Sequence, residues 1–255
     1  MEDARGRWLL VDIEGTTTPI DFVTRVLFPY ARAHAAAFLT EHAALPEGRE
    51  DLARLEAEHR ADAASGAAPP PWEADTPERA LDSALAYVGW LMDRDRKSTA
   101  LKALQGEIWH AGYRRGELRG SVYPDVPPAF ARWSAQGRRI AIFSSGSVLA
   151  QKLLFSTCPE GDLTQSLGAY FDTTTGGKRE PSSYRRIADL LGETAGAILF
   201  LSDVAEECDA ARDAGVAAAL VLRAGAEAPS ATPHRIVRSF DEVFPEAGDR
   251  RSGAR

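Results

Sequence analysis

The sequence predicts an α/β fold: a doubly wound, mostly parallel Rossmann-like sheet carrying an inserted helical cap. Three observations carry that prediction. Short, continuously apolar runs recur at Trp8–Val11, Ile140–Phe143, Ile198–Leu201 and Ala218–Leu222, which is how strands covered on both faces read. Helical patterns separate the later runs, over Ser147–Phe155, Tyr184–Leu191 and Ala205–Ala214, as parallel crossovers require. No comparable run breaks the helical-period stretch between Val11 and Ile140, so an insertion is expected in the first crossover.

Within that insertion, Phe22, Val26, Pro29 and Ala33 mark one predicted stripe, and the proline announces a bend. Leu81, Leu85, Val88 and Met92 mark a second stripe, and Leu101, Leu104, Ile108 and Ala111 a third. Ala67–Pro77 contains the run Pro69-Pro70-Pro71 and reads as a loop. Gly116–Pro124 is the expected return path, after which Val126, Ala129, Phe130 and Trp133 resume a core-facing helix. The expected boundaries are a core over 1–20 and 126–245, a helical cap over 21–125 and a flexible tail over 246–255, the last being charged and Gly-containing. An insertion in this crossover is expected over the carboxyl ends of the strands, where open α/β sheets bind ligands.

Composition narrows the function classes. The 255 residues include 30 basic and 37 acidic side chains, a formal net charge of −7, which argues against general capture of nucleic acid through its phosphates. At roughly 100–200 residues per domain, the length suggests one large domain or a core with a second lobe. That is enough for a hydrophobic core without disulfide or structural-metal support. Cys158 and Cys208 form no framework and match no zinc spacing, which suits a reducing compartment. The apolar run Trp8–Val11 stops at Asp12 and is no signal peptide. Val216–Leu222 falls far short of the roughly 18 residues of a membrane helix. A cytoplasmic protein with neither membrane nor nucleic-acid partner is therefore expected. His34, His42, His59, His110 and His234 lack metal-ligand spacing.

Four motifs carry chemistry. Asp12-Ile13-Glu14-Gly15-Thr16-Thr17 follows the first strand, and two neighbouring carboxylates at a strand end can divide the labour of nucleophile and general acid/base. A strand-end Asp in a turn beside a solvated Glu would look the same. Ser144-Ser145-Gly146-Ser147 follows the second; hydroxyls and free N–H groups at a helix start can hold phosphate, although plain N-capping is as ordinary a use. Thr175-Gly176-Gly177-Lys178-Arg179-Glu180 departs from a P-loop, with Asp172 at the earlier Gly position and Arg179 after the lysine. Its lysine on a Gly-rich turn can still meet a phosphate as a point charge, or simply be a surface lysine. Leu201-Ser202-Asp203-Val204-Ala205-Glu206-Glu207 ends the third apolar run. Asp203 with Asp12 supplies hard oxygen that suits Mg²⁺, and Glu207 lies one helical turn further; an N-capping Asp with acidic first-turn partners would look the same. Taken together and in this order, the motifs form a phosphotransfer constellation.

These residues resemble the haloacid dehalogenase superfamily of aspartate-nucleophile phosphatases. The longer text is similar to one family within it. It runs Asp-Ile-Glu-Gly-Thr-Thr-Thr-Pro-Ile at 12–20, Leu27-Phe28-Pro29-Tyr30-Ala31, Leu104-Gln105-Gly106 with Trp109, Phe143–Ser147, Ala150–Phe155, Tyr170–Thr173, Gly177–Glu180 and Leu201–Val204. That is the enolase-phosphatase E1 family of methionine salvage, with similarity over most of residues 8–223. The resemblance implies a haloacid dehalogenase-like core under a helical cap. It implies Asp12 as nucleophile and Glu14 as the acid and base, where most of the superfamily has Asp. It further implies Mg²⁺ on the Asp12 carboxylate, the Glu14 carbonyl and Asp203, and a phosphoryl group held by Ser144, the Ser145–Gly146 backbone and Lys178. The implied reaction enolises 2,3-diketo-5-methylthiopentyl-1-phosphate and then dephosphorylates it to an acireductone, in a monomer. Phe22, Trp109 and Tyr123 are candidates for the methylthio tail, although aromatic residues at helical spacing are usually core.

Two other readings stay open at this point: a capped phosphatase for another small phosphorylated carbonyl or sugar, and a binding protein that keeps the fold without turnover. The intact set Asp12, Glu14, Lys178 and Asp203 weighs against the second.

Overall fold

The described residues, 6–94 and 96–245 of a computed structural model, form one parallel sheet and nine α-helical segments. The tail expected over 246–255 lies outside them. The strands are β1 (Trp8–Val11), β2 (Arg139–Phe143), β3 (Leu167–Phe171), β4 (Ile198–Ser202), β5 (Ala217–Val221) and β6 (Arg235–Val237), in the order β3-β2-β1-β4-β5-β6. Every pairing is parallel, so the predicted doubly wound fold class is the one observed. The four apolar runs of the sequence are β1, β2, β4 and β5.

Two strands escaped the apolar pattern, for different reasons. β3 is an edge strand, partly exposed along most of its length, and Gly168 breaks its apolar run. Trp8 passes so close that a Cβ on Gly168 would lie 3.1 Å from its ring. β6 is only Arg235–Val237, the opposite edge.

The chain divides into two compact units, one within Met1–Phe22 and Arg119–Arg255 and the other Val23–Leu118. The first holds the sheet with a short helical turn, α1 (Ile20–Phe22), and helices α6 (Val126–Ala135), α7 (Val148–Ser156), α8 (Pro181–Leu191) and α9 (Ala205–Asp213). Trp8, Leu10, Phe143 and Phe200 pack with Tyr184 and Ile187 of α8. Val126, Ala129, Phe130 and Trp133 are all buried on α6, the face its sequence spacing predicts.

The second unit is helical: α2 (Phe28–His42), α3 (Pro46–Ala64), α4 (Pro77–Asp93) and α5 (Thr99–Arg114). Its core gathers Leu39, Leu55, Tyr87, Leu91, Leu104 and Ile108. The first predicted stripe needs correction. Residues Val23–Leu27 form a π-helical turn ahead of α2, and its wider turn shifts the helical phase. The buried face is therefore Leu27, Ala31, Ala35 and Leu39, while Val26, Pro29 and Ala33 are exposed. Among the described residues no helix is long and apolar enough to cross a membrane.

Candidate active site

The strand order reverses direction between β1 and β4, and open α/β sheets offer a crevice at the carboxyl ends of strands around such a point. Asp12 stands there. Its N–H donates to the Leu201 carbonyl at 2.9 Å, which extends the β1–β4 ladder by one residue. Its carboxylate is buried, 2% exposed. Oδ1 accepts from the Ile13 N–H at 2.7 Å and lies 2.6 Å from Lys178 Nζ. Oδ2 lies 3.2 Å from the Ser202 hydroxyl.

Lys178 also lies 2.7 Å from Glu207 Oε2, and Ser202 Oγ is 2.9 Å from the same oxygen. One ammonium thus bridges a carboxylate at the end of β1 and another on α9. The turn that carries it is anchored to the start of α8. The Ser183 hydroxyl donates to the Gly177 carbonyl at 2.7 Å and the Tyr184 hydroxyl to the Lys178 carbonyl at 2.6 Å.

The loop after Asp12 winds on a single acceptor. The Ile13 carbonyl takes the N–H groups of Thr16, Thr17 and Thr18 at 3.2, 2.9 and 2.9 Å. Gly15 has φ of +70°, where glycine pays no steric penalty. It also lies against Asp203: a Cβ at Gly15 would fall 2.1 Å from Asp203 Oδ2. Thr16 Oγ1 accepts from the Asp203 N–H at 3.0 Å, so the loop of β1 holds the residue that ends β4. Glu14 is half-buried and pairs as an isolated bridge with Thr18.

Beyond β2, Ser144 is buried and donates its N–H to the Phe171 carbonyl at 3.2 Å. Its hydroxyl accepts from the Gly146 N–H at 3.1 Å. Ser145 is exposed and Gly146 partly so. Ser147 caps α7 by accepting from the Ala150 N–H at 3.3 Å. Two of the candidate tail contacts are already engaged: Trp109 Nε1 donates to the Leu27 carbonyl at 2.8 Å, and the Tyr123 ring lies 4.2 Å from the Arg223 guanidinium.

The electrostatics follow from burial. Burial pushes the Asp12 carboxyl up to about 7 against the pull of the Lys178 ammonium, and the Glu207 and Glu14 charges add to the rise. Burial likewise raises Asp203. Burial would favour neutral Lys178, but Asp12 and Glu207 hold it above the ordinary lysine value. The carboxyl groups of Asp12, Glu207 and Asp203 thus share a single ammonium, that of Lys178.

That surplus of carboxyl groups is the reason a divalent cation fits. Among the described residues no group of three or more His, Cys, Asp or Glu side chains forms a self-sufficient metal site. The carboxylates of Asp12 and Asp203 are nevertheless hard oxygen donors of the kind a divalent cation takes, with waters or substrate oxygens in its remaining positions. The cradle that Gly15 leaves beside Asp203 is consistent with such a donor set.

The structure brings Asp12 and Lys178 into contact and ties Asp203 to the Asp12 loop. Glu14 acts on this cluster through its charge, and Ser144–Gly146 follow the neighbouring strand. Sequence reasoning did not assign roles to Glu207, Ser202 or Thr16. The spacing of four between Asp203 and Glu207 was the one available signal, and helix-start acids have the same spacing.

Comparison with known proteins adds a family. A family model described as haloacid dehalogenase-like hydrolase matches residues 7–215. The chain is 50% identical over 238 residues to the enolase-phosphatase E1 of Synechococcus elongatus, covering 92% of this chain and 96% of that one. It is 47% identical over 238 residues to the enolase-phosphatase E1 of Pseudomonas aeruginosa, covering 93% and 98%. Among solved structures, the UTR4 protein of Saccharomyces cerevisiae matches with a TM-score of 0.74 and 32% identity, over 94% of this chain and 100% of that one.

Proposed function

The chain belongs to the enolase-phosphatase E1 family of haloacid dehalogenase-like hydrolases, and from that premise we propose that it converts 2,3-diketo-5-methylthiopentyl-1-phosphate to 1,2-dihydroxy-5-methylthiopent-1-en-3-one in methionine salvage. The observation that carries the chemistry is the buried Asp12 carboxylate with Lys178 Nζ at 2.6 Å. In this reading the enzyme is a cytoplasmic monomer, and residues 21–125 are its cap.

Enolisation comes first: a base removes and keeps a carbon-bound proton, the electron pair moves onto the adjacent carbonyl oxygen, and that oxygen takes a proton from solvent to give the enol. Glu14 is the nearest motif carboxylate and is proposed as that base. An Asp12 oxygen then attacks phosphorus as the bond to the substrate oxygen breaks, giving an aspartyl-phosphate, while Glu14 protonates the leaving oxygen. Glu14 next takes a proton from water, whose oxygen attacks phosphorus and releases Asp12 and inorganic phosphate. Lys178 balances the charge of the phosphoryl oxygens, and Ser144 with the Ser145–Gly146 backbone orients them. Asp12, the Glu14 carbonyl and Asp203 would hold Mg²⁺, which supplies charge neutralisation and carbonyl polarisation.

The deciding experiment follows acireductone absorbance and phosphate release from the diketo phosphate with Mg²⁺. Wild-type protein is expected to yield both products and Asp12→Asn neither. Phosphate release from an aryl phosphate without acireductone from the diketo phosphate would overturn the substrate assignment. Glu14→Gln is expected to stop enolisation as well as phosphate release. Enol-phosphate accumulating at the normal rate would assign the base elsewhere.

A further inference from the structure

Arg223 lies just past β5, outside every motif the proposed chemistry uses, and is buried at 8% exposure. A buried guanidinium needs partners for its donors. Nε and Nη2 both donate to the Thr16 carbonyl, at 2.9 and 2.6 Å. Nη1 donates to Asp125 Oδ2 at 2.6 Å, and that oxygen also accepts from the Phe240 N–H at 2.6 Å and the Ser239 hydroxyl at 3.1 Å. The Tyr123 and Phe240 rings lie 4.2 and 4.6 Å from the guanidinium carbon, within cation–π reach. The side chain is fixed by all these contacts, and what it fixes in turn is the Thr16 peptide.

Thr16 is the residue whose hydroxyl accepts the Asp203 N–H at 3.0 Å. The hydroxyl also stands 3.5 Å from Asp203 Oδ1. The Thr16 carbonyl is held from one direction by Arg223 and its hydroxyl meets Asp203 in another. Moving that carbonyl would move the hydroxyl, and with it the carboxylate proposed to hold the cation. Gly15, the preceding residue, also lies beside Asp203, whose Oδ2 is 2.1 Å from where a Cβ on that glycine would fall. We propose that Arg223 is a positioning residue that sets the divalent-cation affinity of the site by holding the Thr16–Asp203 contact in register with Asp12. This rests on the metal-dependent reading above and extends it to a residue that touches neither substrate nor cation.

The test measures Mn²⁺ binding by electron paramagnetic resonance in the full-length protein, with Mg²⁺ competition. Arg223→Met alone would strand the Asp125 carboxylate, so the comparison is Arg223→Met/Asp125→Asn against Asp125→Asn. The single Asp125→Asn variant retains the fork on Thr16 and is expected to bind Mn²⁺ like wild type. The double variant is expected to bind about 10–100-fold more weakly, the usual effect of losing a group that orients a metal ligand. The Mg²⁺ concentration for half-maximal phosphate release should rise by the same factor, with much of kcat recovered at saturation. If the double variant does not fold, Arg223→Lys, which keeps the charge without the planar fork, is expected to lose affinity by a smaller factor. Equal Mn²⁺ affinity in the double variant and Asp125→Asn, or wild-type affinity in Arg223→Lys, would overturn the proposal. Wild-type protein that binds no Mn²⁺ would instead overturn the metal-dependent reading itself, and this inference with it.

Discussion

Lys178 is the residue on which the buried charge of the site turns. Its ammonium reaches Asp12 and Glu207 at 2.6 and 2.7 Å from a side chain 11% exposed. Breaking a buried pair leaves uncompensated charge at a cost of about 3–5 kcal/mol, and losing a group that stabilises transition-state charge slows reactions by about 10²–10³-fold. Lys178→Met is expected to show both losses, in denaturant unfolding and in kcat for phosphate release. Adding Glu207→Gln removes one stranded charge and should return part of the stability and none of the rate. A double variant with recovered rate would mean that Lys178 serves only to hold Glu207. Asp12, Lys178 and Asp203 were visible as candidates because each stands at a strand end or a Gly-rich turn. Glu207 and Arg223 were not, since a helix-start acid and an arginine after a strand look ordinary until their partners, far away in the chain, are placed beside them.

Among elements, the short connections that join strand ends to helices do much of the holding. Asp125, at the start of α6, gathers Arg223, Ser239 and the Phe240 N–H on one oxygen. Burial alone would raise its carboxyl, but Arg223 and those donors bring it below the ordinary value of 3.8. A lowered folded-state value means stability that is present above the unfolded value and lost as pH falls through the folded one. Asp125→Asn is therefore expected to cost about 1–3 kcal/mol near pH 7, with the gap from wild type closing below pH 3.8. Urea unfolding at a series of pH values measures this, and a gap unchanged at pH 3 would exclude the ionised pair as its source. The same scale shows where periodicity fails. β1, β2, β4 and β5 are covered on both faces or nearly so and betray themselves by apolarity, whereas edge strands β3 and β6 need only one neighbour and carry no such run. The π-helical turn at Val23–Leu27 moved the buried face of α2, because a stripe counted at 3.6 residues per turn assumes an unbroken α-helix.

For the molecule as a whole, both cysteines lie inside: Cys158 is 6% exposed and Cys208 fully buried. Burial pushes each thiol up to about 12, so little thiolate exists to react at pH 8. Native protein is expected to resist a chromogenic disulfide reagent at that pH, and both thiols should titrate in guanidinium. Fast labelling of one thiol in the native protein would reveal local opening around α7 or α9. By itself the sequence determined the parallel α/β class, the helical insertion after β1 and the strand-end carboxylates, because two-faced burial and helical period leave their marks on nearby residues. The tertiary structure alone decided that Lys178 bridges Asp12 and Glu207, that Gly15 gives Asp203 its space and that Arg223 grips Thr16. Those contacts join residues remote in the chain, and their strength comes from a burial that no local pattern encodes.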